Sequence, residues 1–187
     1  MGRGIRSVLV VTVAMTVGAG AAAGCGGGDS PDDAARTADT VCTLLRRWND
    51  ELSEVINTAS QTITDEDDPA TANDVLVGGF EEAITVAEGH VAEVDELTLP
   101  ATDDRDALLD DLRAGAEESV AVLEEERDEA AALDPIGIEQ QRGALGGAFT
   151  GLERATSVLE PQAASYDEAL QDAFADTDGC SNVIQPV

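Results

Sequence analysis

With 187 residues the chain is long enough for one domain with a proper core and too short for two large ones. Aromatic residues make up only 3 %, and the apolar residues are mostly Ala, Val and Leu, a composition that suits helices packed side by side better than a β-sandwich. All 10 basic residues are Arg, against 39 Asp and Glu; the net charge of −29 repels phosphates and so excludes nucleic acid as a partner.

Arg3 and Arg6 form a short basic start, Val8 to Val17 is almost unbroken apolar sequence, and Gly18 to Gly24 holds small residues. This is the layout of a secretory signal. Its apolar run is shorter than the ~20 residues that span a bilayer. The segment ends in Ala22-Ala23-Gly24-Cys25. It resembles the lipobox of bacterial lipoproteins, in which small residues precede a Cys that receives diacylglycerol and becomes the new N-terminus. The resemblance implies a signal peptide over residues 1–24 and a lipid anchor at Cys25. The membrane is then a partner through that anchor, on the extracytoplasmic face. The family usually has Leu where Ala22 stands, and Ala21 and Ala23 also suit an ordinary signal peptidase, which would leave the protein secreted. From Cys25 onward the chain carries 8 Arg against 39 carboxylates, a formal charge of −31. Residues 25–30 read as a flexible, glycine-rich tether, and residues 31–187 as the domain.

Ser30-Pro31-Asp32-Asp33 starts a first helix by cap, Pro and first-turn acid. Val41, Leu45, Trp48, Leu52, Val55 and Ala59 then place one apolar seam along it. Asp68-Pro69 starts a second helix with seam Val77, Phe80, Ile84, Ala87, Val91 and Val94, and Leu99-Pro100 stops it. Thr102 caps a third, with seam Leu109, Leu112, Ala116, Val120, Leu123 and Ala130. Asp134-Pro135 opens the fourth segment, where Ile138, Leu145, Phe149, Leu152, Thr156, Leu159, Ala163, Tyr166, Leu170 and Ala173 keep one heptad phase. That phase runs across Pro161, so the reading is one kinked helix from about 136 to about 176.

The expected fold is all-α: an antiparallel up-down-up-down four-helix bundle with long helices, closed by one disulfide. Three Cys is an odd number for an exported chain; with Cys25 lipidated, Cys42 and Cys180 remain as a pair. In a four-helix antiparallel bundle both lie at the same end, within bonding range. Residues 31 to about 40 should then project beyond the bridge as a helical stalk.

Chemistry is sparse. The single His, His90, has no Glu-x-x-His pattern around it and reads as a boundary residue with a local partner. No acid–base constellation assembles, so the protein is expected not to be an enzyme and to carry no cofactor and no metal. Asp65-Glu66-Asp67-Asp68 lacks the glycine and ligand spacing of a calcium loop and reads as a polar connection. Gly143, Gly147 and Gly151 recur at every fourth position, on a row about 200° around from Leu145 and so facing away from the seam. They are the candidate docking face for a protein or a small apolar ligand. Together these features resemble small lipid-anchored proteins of high-GC Gram-positive bacteria. The expected function is a non-enzymatic binding module of the cell envelope. The alternative is an acidic cation-binding or salt-adapted envelope protein.

Overall fold

The computed structural model describes residues 30–64, 66, 68–133 and 138–184. Residues 1–29, with Cys25, the expected signal and all of the expected tether but Ser30, fall outside these residues, as do Asp65, Asp67, Asp134-Pro135 and the side chains of Ile138 and Leu145. The described chain is all-helical: α1 Pro31–Thr64, α2 Pro69–Glu96, α3 Arg105–Ala131, α4 Ile138–Ser157 and α5 Glu168–Asp176. Short 3-10 turns at Ala163–Ser165 and Cys180–Asn182 flank α5, and no strand occurs among the described residues.

The starts of the helices follow from local chemistry. Ser30 O accepts from Asp33 N at 2.8 Å, and Asp32 and Asp33 place acid at the positive end of the α1 dipole. Asp68 caps α2, accepting from Ala70 N at 3.4 Å and from the Thr71 hydroxyl at 2.8 Å, with Pro69 behind it. The third start differs from expectation. Thr102 does not cap: α3 begins at Arg105, and the Asp104 side chain makes no cap bond because it accepts from Asp167 N instead.

Burial matches the expected seam well in α1, where Val41, Leu45, Trp48, Leu52 and Ala59 are all buried. In α2 and α3 four of the six expected seam positions are buried in each helix: Phe80, Ile84, Ala87 and Val94, then Leu112, Ala116, Leu123 and Ala130. The buried stripe also widens by one residue toward the N-terminus, to Leu76, Ala83 and His90 in α2 and to Leu108, Gly115, Ser119 and Val122 in α3. Val77, Val91, Leu109 and Val120 sit half-buried at its edge. Part of the cause is that His90, Gly115 and Ser119 hold buried positions. Periodicity counts only apolar residues, so it is drawn to the flank.

Contacts between successive helices run in opposite order along the chain. Arg47 pairs with Glu93 while Ala59 meets Gly79; Arg113 pairs with Asp95 while Phe80 and Ala130 line one cleft; Arg154 pairs with Glu125 while Gly115 meets Val158. One Arg therefore bridges each of these three junctions of a strongly acidic chain. Each such exposed pair is worth only ~0.2–1 kcal/mol, so the arginines chiefly relieve like-charge crowding where helices meet.

The fourth segment is not one kinked helix. α4 ends at Ser157, buried Pro161 follows in an irregular stretch, and α5 starts afresh with Asp167 as its cap, accepting from Leu170 N at 2.8 Å. Pro161 lacks the N–H that a continuing helix needs, and tertiary partners stabilise the break. Tyr166 OH donates to Asp111 at 2.7 Å, and Gln171 Nε2 donates to Tyr166 O at 2.6 Å. Burial and the Asp111 contact push the Tyr166 phenol far above its ordinary range. The apolar phase survives because Leu159, Ala163, Tyr166 and Leu170 are all buried regardless of the backbone between them.

Cys42 and Cys180 are bonded, with Cα atoms 5.2 Å apart, as the cysteine count and the end-to-end geometry predict. The helical stalk is not seen. Ala34, Thr37 and Ala38 are buried, because the Cys180–Asn182 turn contacts α1 and buried Val183 and Ile184 follow it.

Candidate functional site

The glycine row does not face away from the bundle as a unit. Gly151 is buried against α3: a Cβ there would lie 2.6 Å from Cγ of Glu126. Gly143, Gly146 and Gly147 have open space over them. Phe149, expected in the seam, is exposed, while Leu152, Ala155 and Leu159 are buried. So α4 is turned to set Gly151 and Ala155 inward, and the Glu126 chain lies across the bare backbone. Burial raises the Glu126 carboxyl above its ordinary value, Glu129 and Glu125 add to that, and Arg154 opposes it.

Gly147 lines a small cleft of about 130 Å³ with Leu76, Phe80, Ala130 and Leu133, with Glu126 and Glu129 on its walls. Leu133 and Phe149 are the large apolar side chains exposed among the described residues. A larger cavity of about 340 Å³ opens at the disulfide end, lined by Ala163, Phe174, Ala175, Cys180 and Ile184, with Gln171 and Ser181 as its polar groups. That volume falls at the low end of small-ligand sites, ~300–1,000 Å³.

His90 lies in the centre of the α1–α2 seam, 3 % exposed, and its partner is on another helix. It is thus a core residue and not a boundary one. Its ring stacks on Trp48, centroids 4.6 Å apart and planes 11° off parallel. Nε2 lies 3.0 Å from Glu51 Oε2, and the Trp48 indole N–H donates to Glu93 Oε2 at 2.9 Å. Since a carboxylate only accepts, His90 carries its proton on Nε2. Arg47 pairs with Glu93 and lies 3.5 Å from Glu51, closing the outer side of the pair. Burial raises the Glu93 carboxyl, but hydrogen bonds from Trp48 and Arg47 outweigh it and hold the group below its ordinary value. Only Trp48 of this network is signalled by the apolar seam. Neither carboxylate has a sequence signature, since both occupy half-buried positions typical of solvated helix faces.

Of the acidic loop, Asp68 is used as a helix cap and Glu66 Oε1 accepts from Asp68 N at 3.0 Å. Among the described residues no three His, Cys, Asp or Glu side chains converge as metal ligands, and no helix is long and apolar enough to cross a membrane. Comparison with protein-family models, with curated proteins and with solved structures finds no match for this chain.

Proposed function

We propose that the protein is an exported, lipid-anchored helical module of a bacterial cell envelope that binds a partner and catalyses no reaction. The Cys42–Cys180 bridge carries this reading. Both residues are buried and joined, and such bonds form and persist in oxidising, extracytoplasmic compartments. The bridge uses two of three cysteines and leaves Cys25 alone, directly after the small-residue run. The architecture we infer is up-down-up-down, with α4 and α5 together forming a broken fourth rod. Two surfaces suit binding. One is the α4 side bearing Gly143 and Gly147 beside Leu133 and Phe149; the other is the apolar cavity at the disulfide end, which fits a small apolar ligand. The non-enzymatic reading is supported by His90, whose ring is sealed between Trp48 and Glu51 away from any substrate.

The full chain and its Cys25→Ser variant, expressed in a high-GC Gram-positive host fed an alkyne-tagged palmitate, test the anchor. The unaltered protein should take up the label and sediment with membranes. The variant should be unlabelled and soluble. An unlabelled wild-type protein whose N-terminus maps elsewhere than Cys25 ends the anchoring proposal and leaves a secreted one.

A further inference from the structure

Trp48 and His90 are the only Trp and the only His of the chain, and they meet face to face inside the α1–α2 seam. With its proton on Nε2 and donated to Glu51, the neutral ring is satisfied on one side. Nδ1 is buried and has no hydrogen-bond partner. A second proton can go only to Nδ1, where it finds no acceptor, and a buried N–H without an acceptor forfeits the hydrogen bond it makes to water. The charged groups acting on the ring are Glu51 and Arg47 from α1 and Glu93 from its own helix. The two carboxylates favour an imidazolium and Arg47 opposes it; burial outweighs the carboxylates and depresses the ring's pKa below its ordinary value.

We propose that the Trp48–His90 stack is a pH-sensitive latch between α1 and α2. In mild acid the imidazolium cannot keep its place with Nδ1 unpaired, and the ring withdraws from Trp48 and loosens the seam. The direction follows from linkage. The unfolded chain takes up this proton near pH ~6.5 and the folded chain only at lower pH, so between the two the unfolded state binds more protons and stability falls as pH falls. Above ~6.5 the neutral ring's contribution is intact. The carboxylates work the other way, since protonating them relieves repulsion, and comparison with His90→Gln, which keeps every carboxylate, subtracts their share. The latch stands independently of the anchoring proposal.

A single imidazole makes the test direct. One Cε1 proton resonance reports the titration of His90 in the oxidised full-length chain, and backbone hydrogen exchange, corrected for intrinsic rates, reports the seam. We expect a midpoint below ~6.5, and an approximately tenfold loss of protection in residues 45–52 and 87–94 over the same interval, not matched in α3. Between pH ~7.5 and ~5 the melting temperature should fall about 2–6 °C further than that of His90→Gln, which keeps a donor for Glu51 and cannot be charged. A midpoint at or above ~6.5 overturns the latch. So does protection that ignores the His90 titration, or an equal melting loss in His90→Gln. Should that variant fail to fold, the resonance and the exchange data on the unaltered chain decide alone.

Discussion

The α1–α3 half and the α4–α5 half of the molecule obey the same apolar repeat and fold differently. The first three helices run unbroken for 34, 28 and 27 residues, whereas the fourth segment divides into 20 and 9. Periodicity reports which side chains go inward, and that report holds for most positions in both halves: Leu159, Ala163, Tyr166 and Leu170 are buried as expected, and Phe149 is the exception. It does not report whether the backbone between them stays helical. That is decided by Pro161 and by groups on or beside another helix. Gly115 lets the chain approach, and Asp104 and Asp111 hold Asp167 and Tyr166 beyond the break.

The largest test of this contrast removes the disulfide that cross-links the halves. The Cys42–Cys180 bond closes a loop of 138 residues, which by the chain-entropy model stabilises by roughly 4–5 kcal/mol. A Cys42→Ser, Cys180→Ser double variant should lose about 3–4 kcal/mol in urea unfolding. The loss should be uneven. Hydrogen exchange should show α5 and residues 177–184 deprotected well before α2 and α3, because α5 is short and, without the bridge, is held only by its packing and the few hydrogen bonds at its start. A uniform loss would mean the two halves unfold as one unit, and the contrast between them would be one of shape only.

A sharper probe of the break is Gly115→Ala. Inside a helix the substitution should stabilise by about 0.8–1 kcal/mol from propensity alone. Here a Cβ would lie 2.6 Å from the carbonyl oxygen of Val158, which is backbone and cannot swing aside. Overpacking of that kind costs about 1–3 kcal/mol, so the net effect should be a destabilisation of up to about 2 kcal/mol, read as a lower urea midpoint. A stabilised variant would show that α4's end does not rest on Gly115, and that Pro161 breaks the helix unaided.

Much of this architecture is legible in the residues alone, and some of the failures share a cause. The α1 seam, the Asp68-Pro69 start and the disulfide pairing all follow from local chemistry or from counting. Several of the missed positions are those where a small or polar residue is buried: Gly115 and Ser119 in α3, His90 in α2, Gly151 in α4. Each is invisible to a scan for apolar repeats, because its reason for being inside is the neighbour it admits. Gly151 admits the Glu126 chain, Gly115 admits a carbonyl, and His90 fills the space over Trp48. The expected glycine row divides for the same reason: a four-residue spacing implies a single outward row, whereas Gly151 packs on Glu126 and Gly143 and Gly147 stay open.

That difference supplies the smallest effect and the most direct comparison within one helix. Gly143 and Gly147 have nothing near the position a Cβ would take, so Ala at either should bring only the helix-propensity gain, about 0.5–1 kcal/mol each. Gly151 has the same helical backbone but meets Cγ of Glu126 at 2.6 Å, and the side chain of Glu126 is only 13 % exposed while paired with Arg154 at 3.3 Å. Displacing it disturbs that pair, so Gly151→Ala should gain nothing and lose up to about 1 kcal/mol. Three urea curves on otherwise identical proteins check the ordering. Equal gains at all three positions would mean Glu126 yields freely and α4 has no fixed rotation against α3. A gain at Gly143 and Gly147 with none at Gly151 fixes the inward side of α4 at Gly151 and leaves the open glycines as the surface a partner could approach.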